Sequence, residues 1–223
     1  MTFSGAASNS RIELARAAQG IYSLLARIFG SLPTVRLVRS MREEQMLDSL
    51  AALGISFEAD FLSVDEERLA RELSREYTRL FTGPGTHIAA YESVYVRGEG
   101  ETSPRLWGQA TGEVAEFYRE LGLEVPEGKT PDHLGLELEA MAVMTQAQAD
   151  RLAAGDDAGA GRLAAMQERF CREHLLRWIP AVCRDVEQES DSSFYRSMAS
   201  LAAGFVEMSC TGVISGNLPE EVA

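Results

Sequence analysis

Hydrophobic side chains recur every three or four residues along most of this chain, which is the spacing of one face of an α-helix. The clearest stripe lies near the N-terminus and consists of Ile12, Ala15, Ala18, Tyr22, Leu25 and Phe29. Gly30 and Pro33 follow it and predict the end of this first helix. Alternation with a period of two, which is typical of a half-buried strand, is confined to residues 93–96.

Similar stripes predict six further helices, over about residues 34–53, 63–81, 103–121, 130–154, 163–182 and 192–210. Ser63 and Glu66 have the spacing of a capping box, in which each side chain bonds the backbone of the other. Ser103 and Thr130 each precede a proline, the favoured order at a helix start. The prediction is an all-α, single-domain bundle of about seven helices or more.

Three large or rigid residues fall at informative places in these helices. Trp107 and Trp178 lie on apolar stripes, so we expect both in the core. Pro180 lies inside a helical pattern and should kink or break it, because proline lacks a backbone N–H. At the chain's ends, we expect residues 1–10 to be flexible, residues 11–211 to form the helical domain, and residues 212–223 to be a flexible tail.

A long loop is predicted near residues 83–102, where glycines interrupt any helical period. Loops of this length in compact domains are usually functional or disordered. This one carries Tyr91, Glu92 and Tyr95 instead of small polar residues. A loop carboxylate can bind an arginine through two parallel hydrogen bonds, so the segment is a candidate recognition surface.

Composition narrows the class of protein. The chain has 223 residues, 45% of them hydrophobic, which is enough for a sizeable core. Its formal net charge is −13, which argues against binding nucleic acid. The N-terminal residues lack the pattern of a secretory signal, and no apolar run approaches the roughly 20 residues of a membrane span. We therefore expect a cytoplasmic protein that does not insert stably in a membrane.

The three cysteines, Cys171, Cys183 and Cys210, are expected to be reduced and buried, since thiols stay reduced in the cytoplasm. They match no standard metal spacing, and we expect no metal or cofactor. Cys171 and His174 are three residues apart on a predicted helix, but packing is the expected role of this pair.

Asp132 and His133 are the residues that best suit chemistry. In the first turn of a predicted helix, Asp132 could simply complement the helix dipole, which would also disfavour a protonated His133. A neutral imidazole beside a carboxylate also suits recognition or catalysis. The chain contains no phosphate-binding loop, nucleophile elbow or zinc-protease motif, so catalysis is the weaker hypothesis.

Several of these elements together resemble the TorD/DmsD/NarJ-type redox-enzyme maturation chaperones. The resemblance spans about residues 10–210 and rests on Tyr77, Leu80, Phe81, Gly83 and Pro84, on residues 91–95, on residues 131–135, and on His174, Trp178 and Pro180. One departure is Ala89-Ala90-Tyr91, where relatives often have prolines followed by tryptophan.

The resemblance implies an all-helical chaperone with no enzymatic activity of its own, as a monomer or homodimer. Such proteins bind the twin-arginine signal peptide, the apo form, or both, of a molybdenum or tungsten oxidoreductase, and hold back export until the molybdopterin cofactor is inserted. The implied peptide-binding residues are Tyr77, Leu80, Phe81, Gly83, Pro84, Tyr91, Glu92, Ser93, Asp132 and His133. We expect Glu92→Ala and Asp132→Ala to weaken peptide binding with little loss of stability.

Two other classes of function are also compatible with the sequence. One is a small-molecule or nucleotide-binding helical enzyme that uses Asp132 and His133. The other is a helical scaffold with no peptide specificity. Loop carboxylates beside aromatic rings favour a peptide ligand, because a twin-arginine signal offers two guanidinium groups followed by an apolar segment.

Overall fold

The computed structural model describes residues 3–84, 86–100, 102–103 and 105–211. These residues form eleven α-helices and two π-helical turns and contain no strand, so the prediction of an all-α bundle with seven or more helices is confirmed. No helix in the described part of the chain has the length and hydrophobicity needed to cross a membrane. The predicted flexible tail, 212–223, lies outside the described residues, as do residues 1 and 2.

The chain divides into two compact units. Among the described residues, the first unit draws on 3–30, 91–179 and 205–211, and the second on 31–90 and 180–204. In chain order, the helices within the first unit are α1 (Phe3–Gly30), α6 (Glu92–Tyr95), α7 (Gln109–Glu120), α8 (Leu134–Ala153) and α9 (Asp157–Phe170), followed by a π-helical turn, Cys171–Leu175. Helices α10 (Leu176–Glu189) and α11 (Ser193–Cys210) each contribute residues to both units.

Helix α1 packs along α8, which in turn packs against α9. The predicted α1 stripe is buried, from Ala15 through Tyr22 to Phe29. Its backbone comes close to α8 at two glycines, since a Cβ on Gly135 would lie 2.4 Å from the Cα of Gly30. Only glycine fits this approach. Helix α1 already begins at Phe3, within the segment 1–10 that was predicted to be flexible.

The second unit contains α2 (Val35–Met41), α3 (Glu44–Ala52), α4 (Ala59–Leu62), α5 (Glu66–Tyr77) and a π-helical turn, Thr78–Thr82. Its interior is built on stacked aromatic rings. Phe61 lies 4.3 Å from Phe57 and 5.2 Å from Phe194, measured between ring centroids. Tyr77 and Phe81 continue this packing toward Tyr195.

Several helices begin at residues other than those predicted. Asp65, not Ser63, caps α5 by accepting from the amide of Arg68. Helix α7 begins at Gln109 instead of Ser103. The predicted helix over 34–53 is two helices, and Thr34 caps the first of them. The predicted loop 83–102 contains the short helix α6, and the first two residues of that helix, Glu92 and Ser93, are buried.

The two tryptophans have opposite environments. Trp178 is fully buried, as predicted. Trp107 is 65% exposed, so its predicted place in the core is wrong. Its φ of 62° lies in the left-handed region, which is rare for a bulky side chain and is often associated with functional segments. Helix α10 continues past Pro180 without a break and follows directly on the π-helical turn, Cys171–Leu175.

The cysteines also differ from prediction. Cys171 and Cys210 form a disulfide within the first unit, so the expectation of three reduced thiols is wrong for this pair. Cys183 is a buried thiol in the second unit. Burial raises its pKa to about 12, which makes it a poor nucleophile.

Candidate functional site

Two motifs that are distant in sequence meet in the first unit. Tyr91 and His133 form an isolated antiparallel bridge. Next to it, the amide of Glu92 donates to the carbonyl of Asp132 at 2.9 Å, and the amide of Ser93 donates to Asp132 Oδ2 at 2.9 Å. The structure therefore joins five of the predicted site residues into one hydrogen-bonded element.

Asp132 has a different role from the one predicted. It lies before α8 instead of in its first turn, and it is fully buried. Its carboxyl group accepts from Ser93, which lies in the first turn of α6. Asp132 thus satisfies a free amide at the start of another helix and fixes the 91–93 segment to the 131–133 segment.

His133 is the N-cap of α8. Its Nδ1 accepts from the amide of Gly135 at 3.1 Å, and its ring meets Tyr91 edge to face, with centroids 5.2 Å apart. The pKa of His133 is lowered to about 4, mainly by burial and also by the charge of Lys129, and the nearby Asp132 carboxylate partly offsets these two effects. The imidazole is therefore neutral near pH 7, as predicted, although burial and not the helix dipole is the main cause.

Glu92 is buried, which corrects its prediction as an accessible loop carboxylate. Its Oε2 lies 2.9 Å from Nδ1 of His174, which is also buried. Its Oε1 lies 4.0 Å from Nη1 of Arg177, whose side chain is partly exposed. Glu92 therefore already has partners within the first unit.

Glu137 is a third buried acid in this network, and it was not predicted. Trp178 donates from Nε1 to Glu137 Oε2 at 2.9 Å. Burial raises the pKa of Glu137 well above its usual value, and nearby Glu92 and Asp132 raise it further. The protonated form of Glu137 is therefore favoured over the carboxylate. Its signal in the sequence was a glutamate among the apolar positions of α8, between Leu134 and Met141.

The other five predicted site residues lie in the second unit. Tyr77, Leu80 and Phe81 are buried there, and Tyr77 packs against Phe81 with ring centroids 5.0 Å apart. Gly83 lies close to the end of the π-helical turn, since a Cβ on it would lie 2.8 Å from the carbonyl oxygen of Thr78. Pro84 is exposed. Most of these residues thus form core and a chain turn of their own unit.

The arrangement is suited to binding rather than to acid–base chemistry. Asp132 and His133 direct their side chains to different backbone amides, so they do not form a catalytic pair. Tyr91 and His133 are partly exposed, whereas the adjacent acids Glu92 and Asp132 are buried. Among the described residues, no group of three or more histidine, cysteine, aspartate and glutamate side chains is arranged to hold a metal ion.

Comparisons with known proteins give a family match, a curated relative and a solved structure. The family model described as "Nitrate reductase delta subunit" matches residues 45–184. A perchlorate reductase assembly chaperone protein from Dechloromonas aromatica (strain RCB) is 30% identical over 128 residues, which cover 56% of this chain. The chain spans about half of that relative, 53% of its length. A crystal structure of a candidate redox enzyme maturation protein from Archaeoglobus fulgidus aligns with a TM-score of 0.49 and 22% identity, covering 88% of this chain and 93% of that one.

Proposed function

We propose, from the premise that the chain belongs to the nitrate reductase delta subunit family, that it is an assembly chaperone for a redox enzyme. The family match covers well over half of the chain and includes residues from both units. The curated relative is described as an assembly chaperone for perchlorate reductase, which is the same kind of role. In this proposal the chain contributes binding, not a chemical step.

The proposed client is a molybdopterin oxidoreductase that is exported by the twin-arginine pathway. The chaperone binds its signal peptide, its apo form, or both, in the cytoplasm, and holds it until the cofactor is inserted. This finer proposal comes from the motifs quoted above, and it fits an acidic chain, because the ligand carries two arginines.

The observation that carries the proposal is the hydrogen-bonded junction of residues 91–93 with residues 132–133. Both segments belong to the motifs that resemble the maturation chaperones. Their buried acids hold Tyr91 and His133 side by side at a partly accessible position. Tyrosine and a neutral imidazole offer apolar contact and hydrogen bonding together, which suits a peptide ligand.

The same junction disfavours the enzyme alternative. A small-molecule enzyme built on Asp132 and His133 would need at least one carboxyl oxygen open to substrate. Asp132 is 0% exposed and is bonded to Ser93. A binding function therefore agrees better with this geometry.

Calorimetry with synthetic peptides tests the proposal. One synthetic peptide carries an Arg-Arg pair followed by an apolar segment, and its matched control carries Lys-Lys at the same positions. We expect the full-length chain to bind the first peptide at least about tenfold more tightly, the worth of roughly one charge-assisted hydrogen bond. If the chain binds neither peptide and also fails to bind an apo-oxidoreductase in a parallel pull-down, the proposal is wrong.

A further inference from the structure

A disulfide and a buried histidine share the π-helical turn Cys171–Leu175 of the first unit. Cys171 begins the turn and is bonded to Cys210, the last residue of α11. Three residues further on, Nδ1 of His174 lies 2.9 Å from Oε2 of Glu92, the first residue of α6. The turn is therefore tied to α11 at one end and to α6 near the other.

The direction of His174 depends on the form of this turn. Helix α9 ends at Phe170 and α10 begins at Leu176, so the turn interrupts what would otherwise be one continuous helix. Isolated π-helical turns of this kind are rare, and they are frequent at functional sites. An extra residue in a helix rotates the side chains after it relative to those before it. If the turn changes its form, His174 no longer points at Glu92 in the same way.

The two sulfur atoms of the disulfide differ in their surroundings. Cys171 is 1% exposed, whereas Cys210 is half-buried. The Sγ atom of Cys171 also lies 3.7 Å from the carbonyl oxygen of Val206. A disulfide sulfur has no hydrogen to donate, but the thiol of a reduced Cys171 can donate to this carbonyl. An acceptor is thus already in place for the reduced form of the chain.

The compartment in the proposed function gives a further reason to expect exchange at this bond. Disulfides are rare in cytoplasmic proteins, and those that occur there are usually transient and catalytic or redox-sensing. Thiol–disulfide exchange depends on access to the sulfur that is attacked, and Cys210 offers more access than Cys171. Cys183, the remaining cysteine, is a buried thiol of the second unit.

We propose that the Cys171–Cys210 disulfide is a redox-sensitive switch that controls how firmly the π-helical turn holds His174 against Glu92. In the disulfide form the turn is fixed, and Glu92 is held beside the Tyr91–His133 contact. In the dithiol form the turn loosens, and a less preorganised site binds peptide more weakly. The effect on peptide binding rests on the proposed function, whereas the effect on His174 concerns the chain alone.

The exchange takes a dithiol as its reductant. One thiolate of the dithiol attacks the Sγ of Cys210, which forms a mixed disulfide and releases Cys171 as a thiolate that takes up a proton. The second thiol then attacks the reductant's own sulfur in the mixed disulfide, closes a cyclic disulfide and releases Cys210. The chain gains two electrons and two protons, which the dithiol loses. A disulfide oxidant reverses the reaction.

The test compares the full-length chain in its disulfide form with the same chain after treatment with dithiothreitol. Cys210→Ser is the permanently open variant, and Cys183→Ala is the matched control that keeps the disulfide. Alkylation with iodoacetamide and peptide mapping identify the thiols that react in the folded chain. Amide hydrogen exchange and the histidine ring signals in NMR spectra report on the turn, since the chain has only three histidines. Calorimetry with the Arg-Arg peptide reports on binding.

We expect dithiothreitol to make Cys210 reactive while circular dichroism shows that the chain is still folded. The His174 ring signal should then shift, and the amides of residues 171–175 should exchange at least about tenfold faster. The His87 signal should not move. The Arg-Arg peptide should bind about fivefold more weakly, the worth of roughly one hydrogen bond, and reoxidation should restore its affinity.

The variants separate this effect from other effects of the reductant. Cys210→Ser should resemble the reduced chain with or without dithiothreitol, and Cys183→Ala should respond as the unmodified chain does. If dithiothreitol weakens peptide binding by Cys210→Ser as much as by the unmodified chain, it acts elsewhere and the switch is wrong. Melting temperature does not decide the question, because the loss of any disulfide is expected to lower it.

Three further outcomes decide between the proposals. If Cys210 does not react before the chain unfolds, or if reduction leaves the His174 signal and the exchange of residues 171–175 unchanged, the switch is wrong and the proposed function stands. If His174 responds but peptide affinity does not, the control of binding is wrong. If the disulfide form binds no peptide, the proposed function and its redox control both fail, and the His174 signal still shows whether the turn responds to reduction.

Discussion

The two units have interiors of opposite character. The first unit buries four acidic or basic side chains, Glu92, Asp132, Glu137 and His174. Among the described residues of the second unit, the buried polar side chains are two serines, Ser190 and Ser193. The second unit instead fills its interior with stacked aromatic rings.

This difference indicates what each interior contributes. Aromatic packing stabilises the fold by removing apolar area from water and by ring contacts, and it requires only complementary shapes. Buried acids each carry a desolvation cost, and the fold tolerates them only with hydrogen-bond partners in place. The first unit therefore gives up stability to fix the positions of Tyr91, His133 and His174. A strongly raised carboxyl pKa such as that of Glu137 often marks a functional site, which agrees with the peptide proposal.

The largest effect on the free energy of unfolding is expected for a substitution in the aromatic interior of the second unit. Phe61→Ala removes a fully buried ring that stacks on two others, so we expect a loss of about 3–5 kcal/mol in the free energy of unfolding. Urea denaturation measures it. Phe57→Ala is the control, because that ring is partly exposed and should cost clearly less. A loss below about 1 kcal/mol for Phe61→Ala would mean that the ring stack does not determine stability.

The second effect concerns Glu92 and reverses an expectation from the sequence. Because Glu92 is buried and bonded to His174, Glu92→Ala should lower the free energy of unfolding by about 1–3 kcal/mol. Glu92→Gln keeps an oxygen acceptor for His174 and should cost less. Glu99→Ala, at an exposed position, is the control. Unchanged stability of Glu92→Ala would restore the sequence-based view of an accessible carboxylate.

The comparison also shows what the sequence can predict. Stripes such as Ala15 to Phe29 identified buried helix faces, because helix geometry and the hydrophobic effect act locally. Trp107 was misplaced because its stripe continued the α7 pattern upstream, and nothing local marks the left-handed turn that exposes it.

The candidate site was less predictable than the fold. Residues 91–93 and 132–133 were identified as one site through their motifs, yet their burial was not, since a polar residue in a loop usually faces water. The role of Asp132 depends on an amide 39 residues away along the chain. The Cys171–Cys210 bond likewise depends on tertiary structure that spacing does not reveal.

Substitution of Glu137 is expected to change the free energy of unfolding less than substitution of Glu92, and to raise it instead of lowering it. Its pKa is raised in the folded chain, so the folded state holds a proton that the unfolded state loses above its ordinary pKa of about 4.5. This contribution to stability is complete at low pH and is lost as pH rises. Glu137→Gln keeps an acceptor for Trp178 without needing that proton. We expect it to raise stability at pH 7 by on the order of 1 kcal/mol and to leave it nearly unchanged at pH 4.

Thermal unfolding at several pH values measures this difference, with Glu139→Gln on the exposed side of α8 as the control. If Glu137→Gln instead lowers the melting temperature at pH 7 as strongly as Glu92→Ala does, Glu137 is required as an anion and its pKa is not raised in the folded chain.

The last effect is small near neutral pH and belongs to His133, at the edge of the first unit's polar network. Its pKa falls from about 6.5 in the unfolded chain to about 4 in the folded one. As pH falls below 6.5, the unfolded chain takes up a proton that the folded chain does not, so stability is lost between pH 6.5 and 4 and is complete above that window. At pH 6 this loss is below about 1 kcal/mol, and it grows by at most about 1.4 kcal/mol per pH unit, most steeply midway between pH 6.5 and 4. His133→Asn keeps an oxygen that can accept from Gly135 but does not titrate, so its stability relative to the unmodified chain should improve steadily as the pH falls across this window.

Urea denaturation at pH 7.5, 6.5, 5.5 and 4.5 gives the comparison, with His87→Asn at an exposed position of the second unit as the control. A constant difference between His133→Asn and the unmodified chain from pH 7.5 to 4.5 would show that the imidazole is protonated as easily in the folded state as in the unfolded one, and that the network beneath it does not keep it neutral.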